Sequence, residues 1–274
     1  MKNKHFFIKK SSAIAWVIAS AMMAIPLLVV AQDQNPAVYA LVEYMKVKQG
    51  DGQKYTDLER NYWKKIHQER VKRGEIDRWV LYEVRFAGAD DEYNYVTATI
   101  ISNPGKLENP YEGIDAAKIL AGEDVDKIMK ETAESRQLVK SNLIRMVSTV
   151  NSSSGPAPFK YVQIDFMKVK PENDAMYLDV ENKVWKPVHQ QFIKDGSRVG
   201  WTLWQAVYPS GAGMDYQYAT SNYISDFSKL MSADYTKAFT TAHPGGNTDK
   251  LMEDTDKSRE LVRSELWQLL DGTE

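Results

Sequence analysis

Two stretches of this sequence carry the same set of chemically capable side chains. Glu59, Trp63, Lys64, His67 and Gln68 follow the pattern E-x-x-x-W-K-x-x-H-Q, and Glu181, Trp185, Lys186, His189 and Gln190 repeat it. Imidazole changes charge near neutral pH, so a repeated histidine suits proton transfer or ligation. On an α-helix a Trp and a His four residues apart are surface neighbours. At 100° per residue the glutamate falls beside the buried stripe, the tryptophan further round and the histidine at the rim. A second pair of carboxylates, Glu43 and Asp165, alternates with Met45, Val47, Met167 and Val169. An acid on a strand covered on both faces is costly to bury unless paired, and its pKa rises if it stays dry, which makes a general base near neutral pH. The candidate catalytic residues are therefore His189, Asp165 and Glu181, with His67 and Glu43 as counterparts. Trp185, Tyr218, Phe192, Trp63 and Tyr95 are the candidate ligand-binding residues. A plainer reading stands beside this one: tryptophans packed on a neighbouring helix, solvated histidines, and hydrogen-bonded structural acids.

The duplication reaches well beyond these residues. Tyr44 to Phe86 matches Phe166 to Tyr208 without a gap at an offset of 122, with 15 identities in 43 positions. Lys127 to Val147 matches Lys250 to Leu270 at an offset of 123, with 9 identities in 21. Two blocks in the same order, one residue out of step, mark a duplicated domain rather than a solenoid. Residues 36–150 form the first expected domain and 159–274 the second. Asn151-Ser-Ser-Ser-Gly-Pro-Ala-Pro158 links them, because small residues and prolines build no core. The copies differ where chemistry is at stake. Pro187 stands where the first half has Lys65, and is expected to kink or restart the helix before His189. Phe192 stands where the first half has Arg70. Both changes place the more apolar rim, and the expected pocket, in the second half. Arg136 and Arg259, also matched, suit an anion or a solvated helix face.

Each half reads as β-α-β-β-α-β. Val38 to Lys48 alternates as a strand, and Tyr55 to Arg73 has helical spacing closed by Gly74. Trp79 to Phe86 and Tyr93 to Ile101 are strands. Asp124 to Asn142 reads as a helix and Leu143 to Val150 as a fourth strand. This is the ferredoxin-like unit, an α+β class, with both helices on one face of a four-stranded antiparallel sheet. The other face needs cover, which the second copy supplies. Two such units packed sheet to sheet resemble the dimeric α/β-barrel superfamily, here as a pseudo-dimeric barrel in one chain from about Pro36 onward. That resemblance implies a ligand between sheet and helices, and a range of activities. These include cofactor-free monooxygenases, haem-binding and haem-degrading enzymes, lyases and simple binders.

Composition narrows the field. Hydrophobic residues make up 43% and charged residues 26% of 274, an ordinary globular balance. With 35 basic against 37 acidic residues, no nucleic-acid face is expected. Cysteine is absent, which removes disulfides, thiol nucleophiles and Cys-ligated metals. No phosphate-cradling glycine loop or nucleophile elbow occurs in the right context, and neither histidine has a partner at metal spacing, so no metal and no cofactor are expected. The leading function is an exported small-molecule binder, acting through His/carboxylate acid–base chemistry if it is an enzyme. A haem protein with His189 or His67 as axial ligand, and a non-catalytic partner protein presenting Trp63 and Trp185, are the alternatives.

Lys2, Lys4, Lys9 and Lys10 precede the apolar run Ala13 to Val30, and Val29 and Ala31 are the small residues of a cleavage site. Residues 1–31 are thus expected to be a signal peptide, the product periplasmic or secreted and free of the membrane. N-terminal sequencing of exported protein should read from Gln32; an intact Met1 on a membrane-bound product would replace cleavage with anchoring.

Overall fold

The computed structural model describes residues 37–152, 157–211 and 213–273. The expected signal segment and residues 153–156 of the expected linker lie outside them. Each half contains the anticipated elements. In the first, β1 (Tyr39–Val47) leads to α1 (Gly52–Leu58), a π-helical turn (Glu59–Trp63) and α2 (Lys64–Lys72). β2 (Arg78–Val84), β3 (Tyr95–Ile101), the short α3 (Ala116–Ile119), α4 (Val125–Ser135) and β4 (Arg136–Asn151) follow. The second half repeats this as β5 (Tyr161–Lys168), α5 (Asp174–Val180), a π turn (Glu181–Trp185) and α6 (Lys186–Lys194). Then come β6 (Gly200–Tyr208), β7 (Tyr218–Ile224), α7 (Tyr235–Ala242), α8 (Thr248–Ser258) and β8 (Glu260–Gly272). Among the described residues no helix is long and apolar enough to cross a membrane.

The eight strands close into one barrel in the order β1-β3-β2-β8-β5-β7-β6-β4. The two sheets face each other as expected, and they are also stitched together at both edges. β4 pairs with β1 from Arg136 to Arg145, then with β6 of the other half from Leu143 to Asn151. β8 does the same, pairing first with β5 and then with β2. A closed ring leaves no strand edge with unpaired backbone groups. These two strands are much longer than the sequence suggests. Residues 136–142, expected to be helical, are the first half of β4, because their backbone groups find partners on β1. Asn151, expected in the linker, is the last residue of β4 and pairs with Gly200.

Eight strands enclose an interior that side chains just fill. Here Val42, Tyr44, Val80, Tyr82, Ile164, Phe166, Trp204 and Trp267 are buried in that interior. The outer faces carry the helices. Met45, Tyr55, Trp79 and Leu81 form the interface in one half, and Met167, Tyr177, Trp201 and Leu203 form it in the other. Asp124 and Asn247 cap α4 and α8 through the backbone N–H of Lys127 and Lys250. Gly74 and Gly196 follow α2 and α6 at φ +66° and +75°, the left-handed turn that stops each helix.

α6 begins at Lys186, one residue before Pro187, which is the restart rather than the kink, and it follows directly on the π turn with Trp185 still helical. Pro187 sits in the first turn of α6, where a missing N–H costs nothing. The first half, with Lys65 there, has the same π turn.

Barrel closure has a tight point at Gly272, where a Cβ would lie 3.0 Å from both the Trp79 carbonyl oxygen and Val80 Cγ1. Gly272→Val should lower stability by roughly 1–3 kcal/mol, read from the urea unfolding midpoint.

Candidate functional site

The π turns decide where the chemistry points. A π turn inserts about one extra residue, so everything after it is rotated by about 100° relative to a continuous α-helix. His67 and His189 therefore turn inward instead of lying at the rim, and are only 6% and 7% exposed. Each ring stacks on a buried tryptophan of the sheet, His67 on Trp79 (4.8 Å, 13°) and His189 on Trp201 (4.9 Å, 15°). The solvated-histidine reading is overturned. For the tryptophans the plainer reading fits: Trp63 Nε1 donates to Thr132 on α4 at 2.9 Å, and Trp185 Nε1 donates to Thr255 on α8 at 3.1 Å.

Both imidazoles are neutral. Burial first, and neighbouring guanidinium charge second, push each down to about 3. Arg70 can only donate, so its 3.2 Å contact makes His67 Nδ1 the acceptor and leaves the proton on Nε2. Nδ1 of His189 is enclosed without a partner.

The expected contrast between a wet first half and an apolar second half is also overturned. Arg70 is 3% exposed, lying 4.4 Å from the Tyr111 ring centroid. In the second half Phe192 is fully buried against His189 and Tyr235. The guanidinium arrives instead from Arg198, also 3% exposed and matched to Ile76. Arg198 donates to the carbonyls of Ser197 and Lys229. The two halves have exchanged arginine and hydrophobe between two positions, and each keeps a buried cation near its histidine.

The carboxylates on the π turns are the most perturbed acids. Glu59 and Glu181 are 3% and 2% exposed, and burial raises each to about 7. Arg136 Nε lies 3.8 Å from Glu59 Oε1, and Arg259 Nη1 lies 3.7 Å from Glu181 Oε1, which limits that rise. Tyr55 and Tyr177, one turn earlier, also favour the ionised form, though neither hydroxyl makes a hydrogen bond of normal geometry. Glu181 Oε1 has no hydrogen-bond partner.

Glu43 and Asp165 differ. Desolvation raises Glu43, opposed by Arg136, Thr97 and Arg70. Asp165 accepts from Gln163 (2.9 Å), Asn222 (3.1 Å), Thr220 (3.5 Å) and Ser264, so it is a satisfied acid.

A cavity of about 200 Å³ brings Asp165, Glu181, Trp185 and His189 together with Arg259, Asn222 and Tyr235. The structure does not bring the other expected ligand-binding residues to it. Tyr218 is in the core, donating to Asp174 at 2.6 Å and accepting from Gln205 at 2.9 Å. Tyr95 packs on Tyr55 in the matching place. Phe192 touches His189 from behind, and Trp63 belongs to the first half's helix interface. In the sequence Arg259 suits only an anion or a surface, and nothing in the sequence points to Asn222, Ser264 or Tyr235. Repetition offered one usable signal, since Tyr55 and Glu59 recur as Tyr177 and Glu181 with the same four-residue spacing. Among the described residues no group of three or more potential ligands could hold a metal.

Closed barrel, helix placement and duplication together define the dimeric α/β-barrel fold, with both units supplied by one polypeptide. A candidate monooxygenase from Fusobacterium nucleatum subsp. nucleatum is similar in structure, with a TM-score of 0.51, 10% identity, and coverage of 87% of this chain and 94% of its own. A candidate chlorite dismutase has a TM-score of 0.49 at 11% identity over 86% of this chain and 95% of its own. A variant of the chlorite dismutase of Candidatus Nitrospira defluvii has 0.49 at 8% identity over 85% and 91%. At such identities the likeness is one of fold. No protein-family model and no curated protein sequence matches the chain.

The depressed histidines have a stability consequence. The unfolded chain takes up protons as pH falls through about 6.5 while the folded imidazoles refuse them until about 3, so stability is lost across that window. In urea unfolding between pH 7 and 4, a His67→Gln/His189→Gln variant should lose less stability than the native chain; equal slopes would show the rings are free to protonate.

Proposed function

We propose that the chain is an exported small-molecule-binding barrel whose second half performs acid–base chemistry on its ligand, with Glu181 as the proton acceptor. One observation carries this: a carboxyl raised to about 7, whose Oε1 makes no hydrogen bond and has Arg259 Nη1 at 3.7 Å, on the wall of a cavity of about 200 Å³, room for a small molecule only. At neutral pH such a group is close to half ionised, the condition under which a general base is both available and strong enough to work. Arg259 steadies the ionised form without neutralising it. His189, held neutral, is too weak a base to accept the proton, and serves to orient the ligand by hydrogen bonding. Asp165, held by four donors, fixes the polar wall. Trp185 and Tyr235 supply the apolar sides.

The alternatives find less support. The surroundings of the two histidines do not fit a haem. His67 already takes an N–H from Arg70, both rings lie flat on tryptophan, and about 200 Å³ is below the roughly 300–1,000 Å³ of pockets that hold drug-sized ligands. A partner-protein role for Trp63 and Trp185 is weakened by their hydrogen bonds inward to Thr132 and Thr255.

Native mass spectrometry of protein from its own source should reveal a small bound molecule. With that molecule as substrate, Glu181→Gln should cut turnover by about 10²–10⁴, and the native rate should rise with pH through about 7. Full activity in the variant would remove Glu181 from the mechanism.

A further inference from the structure

A second cavity lies at one end of the barrel, away from the helices and from Glu181. It measures about 400 Å³ and is walled by Tyr82, Trp204, Tyr223 and Phe159, with Arg78 and Gly200 among the lining residues. It shares Val80, Tyr82, Ile100, Trp204 and Tyr223 with an interior space of about 60 Å³, so it continues into the lumen. Its size falls within the range of small-molecule pockets, and barrel mouths are a common place for them.

The duplication makes its asymmetry legible. Matched strands stand four places apart around the eight-strand ring, hence on opposite sides of the lumen. Arg78 on β2 therefore opposes Gly200 on β6, Val80 opposes Thr202, and Tyr82 opposes Trp204. One side of the mouth has gained a cation and the other has lost its side chain. A Cβ at Gly200 would lie 3.2 Å from Tyr223 Cδ2, so this glycine keeps a ring and the mouth beside it in place. Arg78 is exposed and has no ion-pair partner among the described residues. Among the described residues no carboxylate lines the cavity. Polar acceptors are few: Asn151, Thr149 and Thr202 stand on the same rim.

We infer that this barrel mouth binds a flat, largely apolar molecule bearing one negative charge, its rings among Tyr82, Trp204 and Tyr223 and its anionic group at Arg78. Aromatic walls favour a ring system through offset and edge contacts. A guanidinium at the rim pairs with a carboxylate in bidentate fashion, without either group having to enter the apolar lumen. The site is independent of the acid–base reading of the second half.

The test uses 2-naphthoate, an aromatic monocarboxylate, and its uncharged match 2-naphthalenemethanol, titrated calorimetrically into the full chain. Saturable naphthoate binding is expected, weakened about tenfold by Arg78→Glu, while the alcohol binds the variant as it binds the native chain. Gly200→Leu should abolish binding of both compounds, with circular dichroism confirming the fold. Glu181→Gln should bind naphthoate as the native chain does. No naphthoate binding at millimolar concentration, unchanged affinity in Arg78→Glu, or loss of binding in Glu181→Gln would each overturn the assignment.

Discussion

Everything in this molecule hangs on two strands that each serve both halves. β4 and β8 spend their first residues on their own unit and their last on the other. The backbone N–H and C=O groups that a four-stranded sheet would leave at its edges are thereby paired within the chain. Once the ring is closed, the inner faces of both sheets become one core and the outer faces become two separate floors for helices. The division into a lumen and two helix-covered sites follows from that closure.

The helix-covered sites owe their electrostatics to burial against those floors. A carboxyl beneath a helix, beside a guanidinium that approaches without a normal hydrogen bond, is held near neutrality. An imidazole laid flat on tryptophan, with a cation behind it, cannot take a second proton. The same floor thus pushes an acid up and a base down, until the acid is the stronger proton acceptor of the two. That inversion is why the proposed proton acceptor, among the expected candidates His189, Asp165 and Glu181, is Glu181.

Duplication left both copies with the same ingredients, but not by keeping every residue. The first half holds its buried arginine at Arg70 and the second at Arg198, with Ile76 and Phe192 filling the vacated places. A guanidinium near the imidazole has therefore been retained in space while its position in the chain changed. At the barrel mouth the opposite happened: Arg78 and Gly200 occupy equivalent places and have diverged completely. Symmetry is kept under the helices and broken in the lumen.

The repeat, the two glycine helix stops, the order of elements and the pairing of a sheet with its own copy were all legible in the sequence, because each leaves a local or periodic trace. Glu181 and His189 were legible as repeated residues on one helix. Their inward orientation was not, because an α-helical wheel has no place for a π turn, and the turn is what faces both groups inward. The length of β4 was hidden for a related reason: residues 136–142 carry apolar spacing compatible with a helix, and only pairing with β1 makes them a strand. Tyr218 and Tyr95 looked available because a phenol's partners, Asp174 and Gln205 for Tyr218, come from distant elements. Sequence alone determined which elements exist and that they come twice. Tertiary structure decided which side chains are dry, which are paired and which face a cavity, because desolvation and hydrogen bonding depend on neighbours the chain brings together only when the barrel closes.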